Sequence, residues 1–237
     1  TFTYFVVLFD YLCNVICKYR IKMLTVEKIG GTSMSQFKDV LNNIIIGKRS
    51  GAEFYNRIFV VSAYNNVTNW LLEHKKTGAP GIYVKFLNDE NYAEALDELC
   101  QKLIALNRNY EEIKLDQKVA DEFIINRIEK AKNYLRSMHS VVASGYVDRN
   151  DLYLAAREIL SSIGEAHSAF NSVNIIKNNG IDATFIDLCG FDDSEALTID
   201  ERIHKAFDGI DFSKTLCVAT GYTKGVEGIM RAFDRGY

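Results

Sequence analysis

The sequence predicts an α/β fold of three layers, α over β over α, with a largely parallel central sheet. Two observations carry this. Short apolar segments alternate with amphipathic helical ones along the chain, which is the signature of a layered α/β domain. The strand-like segments are also apolar on both faces, as strands covered from both sides must be. Residues 24–29 (LTVEKI) read as the first strand, ending in Gly30-Gly31. The S-x-x-Q pattern of Ser33 to Gln36 then reads as a capping box, opening a helix with Phe37, Val40, Leu41 and Ile44 on one face. Residues 57–62 (RIFVVS) are a second strand, too apolar for an edge and so expected in the middle of the sheet.

Residues 74–92 hold the only proline, Pro80, between Gly78 and Gly81. They read as a turn-rich connection of hairpin type. Two amphipathic helices follow, one with a stripe of Leu96, Leu99, Leu103 and Leu106, the other with Val119, Phe123, Ile128, Ala131 and Leu135. A third helical pattern runs from Asp151 to Lys177 and stops at Asn178-Asn179-Gly180, a left-handed cap sequence. Residues 183–188 form a strand, Thr198 to Glu201 a second capping box before a short helix, and residues 215–219 an apolar strand ending in Thr220-Gly221. In such folds ligands gather at the carboxyl ends of the strands.

Composition sets outer bounds. The chain has 237 residues, 48% hydrophobic and 25% charged, with a mean hydropathy of −0.08. That is enough for a sizeable core. The net charge of −3 and a pI near 5.9 give no electrostatic reason to expect nucleic acid or an anionic membrane as a partner. Five scattered cysteines form no CxxC and no zinc spacing; reduced buried thiols, and with them a cytoplasmic protein, are the expectation. Residues 2–17 are strongly apolar, yet Asp10 and Asn14 interrupt them, and the basic head of a signal peptide is missing. The reading is that Met23 is the natural start and residues 1–22 an upstream or added leader. A membrane-surface or interaction segment is the alternative. Residues 23–237 then make up the folded part.

Four constellations fall at predicted strand ends or beside them. Lys28-Ile29-Gly30-Gly31-Thr32-Ser33-Met34 pairs a lysine with two glycines and a helix start, an arrangement suited to a phosphate but equally to a plain tight turn. Residues 60–69 (VVSAYNNVTN) carry hydroxyls at Ser62 and Thr68; read alone they are a strand end and a helix cap. Residues 162–168 (SIGEAHS) put Glu165 beside Gly164 inside a helix, with His167 better read as a packed or surface histidine than as a catalyst. The end of the chain joins a strand end, Ala219-Thr220-Gly221-Tyr222, to residues 228–237 (GIMRAFDRGY) with Arg231 and Arg235. A strand end, a glycine and an arginine pair suit a bidentate carboxylate contact, and surface arginines in a loop are the equal alternative.

Together and in this order, these segments resemble the aspartate kinase branch of the amino-acid kinase family over nearly all of residues 24–237. KIGGTSM is similar to that family's KFGGTS-type opening, VVSAYNNVTN to its VVSA…GVTN segment, SIGEAHS to its S-x-GE-x-x-S helix, and the final DRG to the start of its GRGGSD-type stretch. VEKIGGTSM, EHKKTGAPGIY, GEAHSAFN and EGIMRAFDRGY bring the chain nearest the specialised aspartate kinases associated with ectoine biosynthesis. The resemblance implies an amino-acid kinase-like fold and an ATP-dependent phosphotransferase with L-aspartate as acceptor. Lys28, also the catalytic residue, would hold the ATP phosphates with Gly30, Gly31 and Ser33. Ser62 and Thr68 would line the aspartate pocket, Glu165 would receive the ammonium and Arg235 the α-carboxylate. Mg²⁺ would arrive with ATP rather than in a metal site of the protein's own, and homodimerisation of the complete protein is an expectation from the resemblance alone.

Two departures stand out. Asn65-Asn66 replaces a smaller, glycine-containing pair, and the chain stops at Tyr237, before the family's adenine-binding half and regulatory domains. The fold is thus expected to be truncated at the C-terminus. The chain as it stands is expected to bind ATP poorly, to phosphorylate little and to self-associate through an open sheet edge. Competing readings are a kinase of the same fold acting on glutamate, carbamate or a nucleotide, a non-catalytic regulatory homologue, and a structural α/β interaction protein.

Overall fold

The computed structural model describes residues 24–228; the leader 1–22, Cys13, Cys17 and the arginines Arg231 and Arg235 lie outside them. β1 (Thr25–Ile29) runs into α1 (Gly31–Ser35) and α2 (Phe37–Asp39), which continues as a π-helical turn, Val40–Ile46. β2 (Arg57–Val61), α3 (Val67–Leu71), α4 (Ile82–Leu87) and α5 (Tyr92–Asn107) follow. Then come the long helices α6 (Gln117–Ser144) and α7 (Arg149–Asn178), β3 (Ala183–Ile186), α8 (Ile199–Phe207) and β4 (Leu216–Thr220).

The four strands form one all-parallel sheet in the order β1-β2-β4-β3. All five residues of β2 are buried, and so are those of β4, as their central places require. The chain steps one way along the sheet from β1 to β2 and from β2 to β3, and the other way from β3 to β4. With right-handed connections, α8 therefore covers the face opposite α7, which gives the three layers. α7 packs on β2, β3 and β4, and its buried run from Leu160 to Ile176 fills most of the core on that face.

Four local expectations need correction. Ser33 caps nothing: the helix starts at Gly31 with Gly30 as its cap. The Gln36 amide, which the Ser33 side chain of a capping box would have satisfied, donates instead to the Ser33 carbonyl at 3.0 Å. Ile44 is 40% exposed while Ile45 is 1% exposed. The cause is the π-helical turn, whose i→i+5 bonding puts Val40 and Ile45 on the face where an α-helix would have put Ile44. The 74–92 connection is a hairpin only at the single bridge Glu73–Pro80, and residues 82–87 form a helix. Val119, placed on the buried stripe of its helix, is 39% exposed.

A buried arginine holds the edge of the sheet. Arg57 makes a two-pronged contact with the Glu27 carboxylate at 2.8 and 3.0 Å, and also donates to the Ile44 and Ile45 carbonyls at 2.8 and 3.0 Å. It thereby satisfies acceptors that the end of the π-turn leaves unpaired. α6 and α7 form an antiparallel hairpin, each helix capped at its start by an aspartate, Asp116 and Asp148. Gly145, in the left-handed region at φ +74°, ends α6. Residues 143–150 at the tip of the hairpin are all exposed, with Tyr146 at 93%. Among the described residues no helix is long and apolar enough to cross a membrane, and Cys100, Cys189 and Cys217 are buried and unpaired.

Candidate active site

The carboxyl ends of β1, β2 and β4 meet the middle of α7. β1 delivers Lys28, exposed one residue before the strand ends, and then Gly30 and Gly31. Neither glycine has a positive φ among the backbone outliers, so both are there for space. A Cβ on Gly31 would lie 2.7 Å from the Ala63 carbonyl oxygen, whereas one on Gly30 would meet nothing within 4 Å. Gly31 thus lets the first turn press against the loop after β2, and Gly30 faces open space. Ser33 is exposed within α1.

The loop from Ser62 to Thr68 leaves β2 beside that turn. The Ser62 amide donates to the Ile29 carbonyl at 3.0 Å, and the Ser168 hydroxyl of α7 donates to the Ser62 carbonyl at 2.8 Å. Asn66 takes the left-handed conformation, φ +67°, as the cap of α3. Asparagine tolerates that region better than other side-chain-bearing residues, so the turn forms without a glycine. The Tyr64 ring is buried between Tyr110, stacked at 5.3 Å, and His167, edge-on at 5.5 Å. Thr68 lies half-buried in the first turn of α3.

α7 supplies Glu165. Gly164 before it makes room: a Cβ there would lie 2.7 Å from the Ala63 side chain and 2.9 Å from that of Val67. The glycine in mid-helix therefore serves close packing of α7 on the loop. Opposite, a Cβ on Gly221 would fall 3.2 and 3.3 Å from the two Glu165 carboxylate oxygens. Glu165 Oε2 is sealed from solvent and has no hydrogen-bond partner. Burial pushes the Glu165 carboxyl up to about 7, against the opposing pull of the Tyr222 backbone amide and the Lys28 charge. A carboxylate held this way gains much from any cation that reaches it. Lys28 and Glu165, far apart in sequence, are thus electrostatic neighbours.

His167 is a core residue, as its sequence context suggested. It is fully buried, its Nε2 lies 2.8 Å from Asn107 Oδ1, and burial drives its pKa down to about 3. A cavity of about 570 Å³ opens beside the site between α6, α7 and the loops after β3 and β4. Tyr134, Met138, Leu154, Phe191 and Val226 line it, and it reaches Tyr222, next to Glu165.

Lys28, Gly30, Gly31, Ser62 and Glu165 are therefore brought to one end of the sheet, with Thr68 behind them. Sequence reasoning placed Gly221 at a candidate strand end without a contact to Glu165, and gave Ser168 no role. Both act through contacts with residues distant along the chain, and only the S-x-GE-x-x-S spacing hinted at Ser168.

Over 218 residues, 91% of its length, the chain is 47% identical to aspartate kinase Ask_Ect of Stutzerimonas stutzeri (strain A1501). The chain is thus similar to an aspartate kinase along nearly all of its own length. It spans about half of that relative's length, 46%. No protein-family model matches it. Two solved structures of E. coli aspartokinase III align loosely with it. The one with lysine and aspartate, in the T-state, covers 82% of this chain and 40% of its own at 19% identity and a TM-score of 0.48. The one with aspartate and ADP, in the R-state, covers 87% and 42% at 18% identity and a TM-score of 0.49.

Proposed function

We propose that the chain is the substrate- and phosphate-facing part of an aspartate kinase of the type associated with ectoine biosynthesis. Such an enzyme transfers the γ-phosphate of ATP to the side-chain carboxylate of L-aspartate, giving 4-phospho-L-aspartate. The observation that carries the reading is the meeting of Lys28, the open Gly30 turn and the sealed Glu165 carboxylate at the carboxyl ends of β1, β2 and β4. The 47% identity to aspartate kinase Ask_Ect supports it.

The chemistry calls for no side-chain base. The acceptor carboxylate, with a pKa of about 3.9, is already an anionic nucleophile at neutral pH. The difficulty is bringing it up to a polyanion, which requires neutralisation and alignment. Lys28 supplies a point charge at the glycine turn, and Gly30 leaves room for phosphate oxygens to approach the backbone. Ser62 and Thr68 line the acceptor side. Glu165 receives the α-ammonium, whose arrival offsets the cost of burying an ionised carboxylate. Arg235 takes the α-carboxylate in this proposal. Among the described residues no three His, Cys, Asp or Glu side chains converge on a metal position; Mg²⁺ enters as the counter-ion of the triphosphate, which it would help to neutralise. Homodimerisation belongs to the same proposal.

Lys28→Met in the complete enzyme tests this reading. Turnover should fall at least about tenfold, the equivalent of about 1.4 kcal/mol of transition-state stabilisation, with the circular dichroism and melting temperature unchanged. Near-normal turnover in a folded variant removes Lys28 from the site.

A further inference from the structure

We propose that Ser35 is a positioning residue for the acceptor loop, holding Ser62 to Thr68 in register with Glu165; the proposal rests on the aspartate kinase reading. The Ser35 hydroxyl works in two directions. It donates to the Gly31 carbonyl one turn back, at 3.3 Å, and accepts the Asn65 amide from across the site at 2.8 Å. One side chain therefore bonds both the glycine turn and the loop that faces it.

The loop shows why that bond matters. Its start is fixed by the Ile29 carbonyl and the Ser168 hydroxyl, and its next part by the buried Tyr64 ring. Asn65 and Asn66 then emerge into solvent, where the backbone must enter the left-handed region at Asn66 before α3 can begin. That conformation is sparsely populated for a residue with a side chain and persists when its surroundings over-determine it. The Ser35 bond falls on the residue just before it. With the hydroxyl gone, the Asn65 amide turns to water and the tip is free to relax. Thr68, on the far side of the tip, then loses its fixed distance from Glu165, while Ser62 keeps its own bonds to Ile29 and Ser168. Packing alone does not replace the bond, because the Gly31–Ala63 contact sets how close the two segments come, not how the tip is turned.

Amide hydrogen exchange and calorimetry with L-aspartate, both on the complete enzyme, test the proposal. Ser35→Ala should speed exchange at the Asn65 amide at least about fivefold, the loss expected for one hydrogen bond. It should weaken L-aspartate binding at least about threefold while the melting temperature stays close to wild type. Ser35→Thr, which keeps a hydroxyl, should restore both. Unchanged exchange in Ser35→Ala overturns the proposal, and so does faster exchange with unchanged L-aspartate affinity. Wild-type complete enzyme that fails to bind L-aspartate overturns the acceptor reading and the positioning role with it. That outcome is told apart from the others because it appears without any substitution.

Discussion

Glu165 is the residue at which sequence, packing and chemistry meet most directly. Its carboxyl sits under Gly221 with one oxygen unpartnered, and burial raises its pKa from an ordinary 4.5 to about 7. The sign of the consequence follows from proton linkage. Below pH 4.5 the folded and unfolded chains both carry the proton, so Glu165 is neutral towards stability. Between 4.5 and 7 the unfolded chain ionises first, and the folded state loses stability as the pH rises, by roughly 3 kcal/mol in all. Glu165→Gln has no such loss. Urea unfolding at pH 5 and pH 8 should therefore show the variant gaining on the wild type at the higher pH; a difference independent of pH would mean that Glu165 is not sealed. His167 works in the opposite direction and at lower pH, because its depressed pKa costs stability as the pH falls from about 6.5 towards 3. Legibility at this scale follows the backbone. The positions of Lys28, Gly30, Gly31 and Ser62 at strand ends, and of Glu165 beside a glycine inside a helix, could be read along the chain; the roles expected of them came from the resemblance. The contacts of Ser35 and Gly221 could not, because they are made across it, with the Asn65 amide and the Glu165 carboxylate respectively.

At the scale of elements, α1 shows how two adjacent glycines do different work. Gly31 is pressed against a backbone oxygen that has little freedom to move, while Gly30 has an ordinary extended backbone, φ −77°, and open space above it. Gly31→Ala should cost about 1–3 kcal/mol by overpacking. Gly30→Ala should leave stability level or slightly raised, since alanine has less freedom to lose on folding. Chemical denaturation of the two variants checks this, and equal losses would show that the turn itself, rather than its neighbour, demands glycine. The elements were legible wherever periodicity was undisturbed: the four strands, the two long helices and the Thr198 capping box all appear where the pattern put them, the box with the Glu201 amide on the Thr198 hydroxyl at 3.2 Å. Reading failed where local geometry changed the period. A π-turn moves burial from Ile44 to Ile45, and the Pro80–Gly81 punctuation hides the short helix that begins immediately after it.

Across the whole molecule, the described residues divide between a short sheet that holds the candidate site and a long hairpin that reaches away from it. A five-residue strand is about 17 Å long, while the thirty-residue α7 is about 45 Å. Glu165 lies midway along that helix, within its buried stretch, and Arg149 at its exposed end, about 24 Å apart along the axis. Between them the burial pattern changes from core to open water, so the tip around Gly145 and Tyr146 takes no part in holding the sheet together. It is a place to attach things. A short flexible peptide or a fluorescent label inserted between Gly145 and Tyr146 should leave the melting temperature within a few degrees and the affinity for L-aspartate unaltered, and a collapse of either would show that the tip is tied to the core. With that handle, the protein can be tethered to a surface or watched by energy transfer while its ligand end stays untouched.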